Sequence, residues 1–159
     1  VRQLTPKPLL LTMEGVKYKL GVNDEQTVIP VSIHIDGKLS RSLIGRQTFK
    51  GKLSIEGEHI PVPENQDQLE LHFEKNRSAL MVYRYYENGQ PKMYSYGQLY
   101  INKDFSELTI AVYTKDGEGG GSWDGNDGLM ISAPASDRMN ALQLSNRLMK
   151  AMMGQFLLK

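Results

Sequence analysis

The chain contains no cysteine, which excludes disulfides, thiol catalysis and thiolate metal sites together. It leaves the compartment open, since a cysteine-free protein suits export as well as the cytosol. No apolar run approaches the roughly 20 residues that cross a bilayer as a helix, and Leu9-Leu10-Leu11 is too short even for the core of a signal peptide. An excess of one charge is missing too. Nineteen Lys and Arg against 18 Asp and Glu leave +1 over 159 residues, too little overall field to grip nucleic acid or an anionic membrane. The chain opens at Val1 without a methionine, so an upstream segment is expected, either a removed leader or a signal peptide ending at an anchor cysteine.

The signatures of catalysis are scarce as well. There is no Gly-x-Ser-x-Gly elbow and no nucleophile placed beside a base, so no catalytic residue is assigned. The three histidines, His34, His59 and His72, are scattered, and a metal site would need them convergent. The loop from Asp116 to Gly128 offers Asp116, Glu118, Asp124, Asn126 and Asp127 as oxygen ligands. Its spacing departs from that of a calcium loop, and no glutamate follows at the required distance. It reads as a solvated acidic loop, and neither metal nor cofactor is expected.

What the chain does have is alternation. From Ala79 to Tyr113, three β-branched and aromatic runs are separated by two turn signals. The first, Asn88-Gly89, suits a two-residue hairpin whose central residues both need positive φ. The register then follows: Glu87 opposite Gln90, Tyr83 opposite Tyr94, Val82 opposite Ser95, Met81 opposite Tyr96 and Leu80 opposite Gly97. A second turn at Lys103–Ser106 sets Ile101 opposite Leu108, Leu99 opposite Ile110, and Tyr96 opposite Tyr113.

Because strand side chains alternate faces, this register predicts one aliphatic face, Leu80, Val82, Met93, Leu99, Ile101, Leu108, Ile110 and Val112, facing the core. The other face collects Met81, Tyr83, Tyr85, Tyr94, Tyr96, Tyr100 and Tyr113. It is either a wall packed under another layer or a surface whose rings stack on a small hydrophobic molecule, a sugar or a peptide. Tyr83, Tyr94, Tyr96 and Tyr113 are the candidate ligand-binding residues, contiguous across three strands.

Along the rest of the chain, residues 1–12 read as an extended lead-in and 14–133 as a β-meander. Strands are expected at about 15–20, 27–35 and 38–44, the last two joined by an Asp36-Gly37 hairpin, and again at 48–56 and around Leu69–Phe73. Pro30 suits an edge or a bulge. After Pro134, Ser136 is a candidate N-cap for an amphipathic helix over 136–153, with Leu144 and Leu148 on its apolar stripe and Gly154 as its stop. The fold class is therefore mainly β, an antiparallel up-and-down meander or barrel of about nine strands with one C-terminal helix, in a single domain over 1–159.

This order of a β-meander followed by a C-terminal helix resembles that of the calycins, the lipocalin superfamily. The family's early Gly-x-Trp motif has no counterpart here, since the sole tryptophan, Trp123, lies late in the Gly-rich loop. The all-β character, missing cysteines and absent initiator also resemble small exported or lipid-anchored proteins of Gram-positive bacteria. These resemblances imply an extracytoplasmic protein, secreted or lipid-anchored, and with the tyrosine face and the missing catalytic motifs the expected function is a non-catalytic binding or envelope-associated module. The alternative is a small hydrolase or isomerase working in a barrel cavity.

Overall fold

The structure is a computed structural model describing residues 6–21, 28–115 and 121–159. Eight antiparallel strands form a nearly closed barrel: β1 (Lys7–Lys19), β2 (Val28–Arg41), β3 (Gln47–Ile55), β4 (Leu69–His72), β5 (Ser78–Glu87), β6 (Gln90–Ile101), β7 (Leu108–Val112) and β10 (Leu129–Ala133). Two-residue strands β8 (Thr114–Lys115) and β9 (Gly121–Ser122) pair apart from it. Helices α1 (Arg138–Leu148) and α2 (Lys150–Met153) follow.

Neighbouring strands are consecutive except at β10, which lies between β7 and β1, with Val16 opposite Ser132 and Lys19 opposite Leu129. The open seam falls in mid-chain, between β4 and β5. There the amide of Gln66, on a 3-10 turn (Glu64–Gln66), accepts from the backbone N–H of Tyr86 at 2.6 Å and donates to its carbonyl at 3.2 Å. One side chain thus occupies hydrogen-bonding groups that an edge strand would otherwise offer to another chain.

The lead-in is strand from Lys7 onward, because the long β2 provides a partner along its whole length, from Leu39 opposite Lys7 to Val28 opposite Tyr18. Leu9, Leu11 and Met13 alternate onto the core. Residues 22–27, between β1 and β2, lie outside the described residues.

The Asp36-Gly37 hairpin does not form. β2 runs straight through it as one strand, and the chain turns instead at Ser42–Arg46, where Gly45 has φ +88°. Gly37 serves packing: a Cβ there would lie 2.5 Å from the Lys50 carbonyl and 2.7 Å from the Phe49 ring. Merging those two expected strands leaves eight in the barrel.

The barrel interior is filled by side chains. Phe105 wedges one end against Phe49 and Phe73, with ring centroids 5.7 and 5.8 Å away. A second cluster, Val16, Tyr18, Leu20, Tyr100, Ala111 and Met130, lies outside the barrel wall and is covered by Ala141 and Met149 of the C-terminal segment. The helix starts one residue later than expected. Asp137, not Ser136, caps it, accepting from the Asn140 N–H at 2.8 Å. It breaks at Met149, and Leu144 is buried while Leu148 is half-buried.

Where barrel and helix meet, the Tyr18 hydroxyl joins a buried cluster with Ser132, Ser145 and Thr109. Tyr18 lies 3.0 Å from Ser132 Oγ and donates to the Ala141 carbonyl at 3.2 Å, and Thr109 Oγ1 lies 2.8 Å from Ser145 Oγ. Each hydroxyl has partners, so the cluster pins the helix to the wall without an unsatisfied group.

Candidate ligand cleft on the outer barrel wall

The hairpin from Asn88-Gly89 turns as its sequence demands, with φ of 53° and 76°. Glu87 faces Gln90, Tyr83 faces Tyr94 and Val82 faces Ser95. One residue further the register slips: Met81 pairs with Gly97 and Leu80 with Gln98, so Tyr96 is the extra residue of a β-bulge. Gly97 permits it, because a Cβ at that position would sit 2.4 Å from the Ala111 carbonyl oxygen.

That slip divides both expected faces. Met81, Tyr83, Tyr94 and Tyr96 point into the barrel, as do Leu99, Ile101, Leu108, Ile110 and Val112. Leu80 and Met93, expected in the core, are exposed instead. Tyr100 and Ala111 belong to the outer cluster, and Tyr113 lies on the same outer wall.

Of the four candidate tyrosines, three therefore come together and the fourth does not. Tyr83 and Tyr94 stack tilted with centroids 6.5 Å apart. The Tyr96 hydroxyl donates to Glu58 Oε1 at 2.7 Å, while Glu58 Oε2 pairs with Lys17 Nζ at 2.7 Å. Burial first, and the Glu58 carboxylate second, push the Tyr96 hydroxyl well above the ordinary tyrosine range. Burial likewise raises Tyr83, with the negative charge of Asp67 adding to it. Tyr83 and Tyr96 are nearly inaccessible at 2 % and 4 % exposure, so these rings are part of the packed interior.

Tyr113 lines a different feature, a cleft of about 770 Å³ on the outer wall. Its floor is Leu80, Ser95 and Gln98 of β5 and β6 with Tyr100, Ala111 and Tyr113; Asn76 and Ser78 close one side, and Ser122, Trp123 and Met152 the other. The Tyr100 hydroxyl donates to Met152 Sδ, and burial pushes it up to about 12. Asn76 Oδ1 accepts from the Ser78 hydroxyl at 2.6 Å. The Gln98 amide and the Tyr113 hydroxyl make no hydrogen bond to any described residue.

Trp123 is seated by glycine. A Cβ on Gly128 would lie 2.4 Å from its indole nitrogen, and a Cβ on Gly125 3.6 Å from the far edge of its ring. Its buried N–H has no partner among the described residues. Trp123, Gln98 and Tyr100 were not singled out as site residues in the sequence; the available signal was a lone tryptophan inside a run of glycines.

His34 sits 3.0 Å from Thr12 Oγ1 and His72 beside Glu70, and among the described residues no three His, Asp or Glu groups converge. Residues 116–120 of the acidic loop lie outside the described residues.

An eight-stranded antiparallel barrel with a filled interior and a helix-walled outer cleft is thus what the chain builds. Comparison with protein-family models, with curated proteins and with solved structures finds no match to it.

Proposed function

We propose that this protein is a non-catalytic binding module of the cell envelope whose outer cleft holds a neutral, polyhydroxylated ligand, a mono- or disaccharide. The observation that carries this reading is the lining. Two half-buried rings (Tyr113, Trp123) lie beside amides and hydroxyls (Asn76, Gln98, Ser95) over the buried Tyr100, and no carboxylate, lysine, arginine or histidine is among them. Rings provide flat contact area at small entropic cost, and amides orient hydroxyls. A group that exchanges protons near neutral pH is absent from this lining, which supports binding over catalysis. The volume falls within the range of ordinary small-ligand sites, about 300–1,000 Å³.

Trp123, the only tryptophan, is a built-in reporter. Titration with a panel of neutral disaccharides should quench or shift its emission. Tyr113→Ser and Gln98→Ala should each weaken the response on the order of tenfold, the scale of one lost stacking or hydrogen-bonding contact, with an unchanged circular dichroism spectrum. If no neutral sugar moves the emission, or if Tyr113→Ser binds as the wild type does, the cleft is not the site.

A further inference from the structure

The net charge of +1 conceals a segregation. At the end of the barrel where β1 begins, the turns 41–46, 74–77 and 102–107 come together beside α1: Gln47 Nε2 reaches the Lys103 carbonyl, the Phe73 N–H bonds to the Gln47 carbonyl, and Arg147 grips Glu107 with both nitrogens at 2.7 and 2.8 Å. Seven cations lie there, Lys7, Arg41, Arg46, Lys75, Arg77, Lys103 and Arg147, against three carboxylates, Glu74, Asp104 and Glu107. Glu14, which shares a neighbouring cleft with Glu107 and Arg147, brings the end to +3, against −2 for the rest of the chain. The carboxylates are already engaged: Glu107 with Arg147, Asp104 with the hydroxyl and N–H of Ser106, and Glu74 at 3.9 Å from Arg46. Lys7, Arg41 and Lys103 have no ion-pair partner among the described residues, and they border a cleft of about 670 Å³ whose lining also includes Pro8, Leu9 and Leu39, the carboxylates Asp104 and Glu107, and Arg147.

From the middle of these charges projects the β2–β3 turn. It is closed by the Ser42 N–H to the Arg46 carbonyl and the Gly45 N–H to the Ser42 carbonyl, both 2.9 Å. This rigid loop presents Leu43 and Ile44 at 63 % and 75 % exposure, flanked by Arg41 and Arg46. Two large aliphatic side chains at a convex tip, ringed by cations at its base, match a lipid surface: the tip enters the acyl boundary while the cations lie level with the phosphates. Nucleic acid would use the cations but has no place for the tip. A folded protein partner would require a broader contact than two side chains.

We infer that this end of the barrel docks on an anionic lipid bilayer, with Leu43 and Ile44 inserted and Lys7, Arg41 and Lys103 around a headgroup phosphate. The two clefts share no lining residue, although turn 74–77 of this end borders the outer cleft too, and the variants that test them are different, so the two readings stand or fall independently.

Co-sedimentation with vesicles tests it. Vesicles of phosphatidylcholine with about one-third phosphatidylglycerol should bind the protein at least on the order of tenfold more tightly than phosphatidylcholine alone, and the preference should shrink as salt rises. The Leu43→Ser, Ile44→Ser double variant changes only exposed side chains, so it should fold; it should lose on the order of tenfold or more in vesicle affinity. Arg41→Gln with Lys103→Gln should remove the preference for the anionic vesicles. Leu157→Ser, in the exposed tail far along the chain, should bind unchanged. The inference fails if anionic vesicles are not bound at low salt, which would leave the tip to an acidic protein partner. It fails equally if the tip variant binds as the wild type does, or if Leu157→Ser is the variant that loses binding.

Discussion

The residue on which the sequence reading turns is Tyr96. Its place in the alternation with Tyr94 offered it as a ligand-stacking ring, yet the hydroxyl donates to a carboxylate only 16 % exposed, itself held by Lys17. A bond to a charged acceptor in that setting contributes more than a neutral one, about 1.5–3 kcal/mol. Tyr96→Phe should destabilise the fold by about that amount in chemical denaturation while leaving Trp123 emission and sugar binding unchanged. A loss of binding with no loss of stability would return Tyr96 to the ligand. No periodicity argument could have found Glu58, because it lies in the irregular stretch after β3, and only the folded chain brings it 38 positions across to Tyr96.

Among elements, what was legible was whatever depended on neighbours in sequence. The Asn88-Gly89 turn, its pairings of Glu87 with Gln90, Tyr83 with Tyr94 and Val82 with Ser95, the β6–β7 register and the C-terminal helix all follow from local pattern, and the structure has them. What was not legible were the glycines that answer to a neighbouring strand. Gly37 resembles a turn residue and is a seat for Phe49; Gly97 resembles a weak point in a strand and is the place where the wall shifts by one residue. The error at Gly97 propagated, since a one-residue slip moves every later side chain to the opposite face. Gly97→Ala should therefore cost about 1–3 kcal/mol, the scale of overpacking, because its methyl meets the Ala111 carbonyl and not a movable side chain. Measured stability within about 0.5 kcal/mol of wild type, as at an ordinary surface site, would mean the bulge tolerates a Cβ and is not what sets the faces.

Over the whole molecule, the tyrosines act together. Tyr18, Tyr83, Tyr94, Tyr96 and Tyr100 all have hydroxyls raised by burial above the ordinary value of about 10. The folded state thus holds these protons more tightly than the unfolded chain does, so their contribution is complete below about pH 10 and is lost as pH rises beyond it. The melting temperature should stay level to about pH 9.5 and then fall steeply, with the 295 nm absorbance of these tyrosines appearing only as the fold is lost. Ionisation of all five in a still-folded protein near pH 10 would contradict their burial. The same scale shows the limit of composition: a balanced count of charges does not say where on the surface they lie.

The position of the seam also decides the order in which the molecule can assemble. β1 through β4 and β5 through β7 are each runs of adjacent hairpins that can form early and locally, whereas β1 meets β10 only across more than a hundred residues. Until Leu129–Ala133 is available, the two halves have no shared strand, and both β1 and β7 present bare edges of the kind that aggregate. A nascent chain emerging from the ribosome therefore cannot finish early. Leu129–Ala133 is the clasp, and until it arrives the edges of β1 and β7 that it covers stay open.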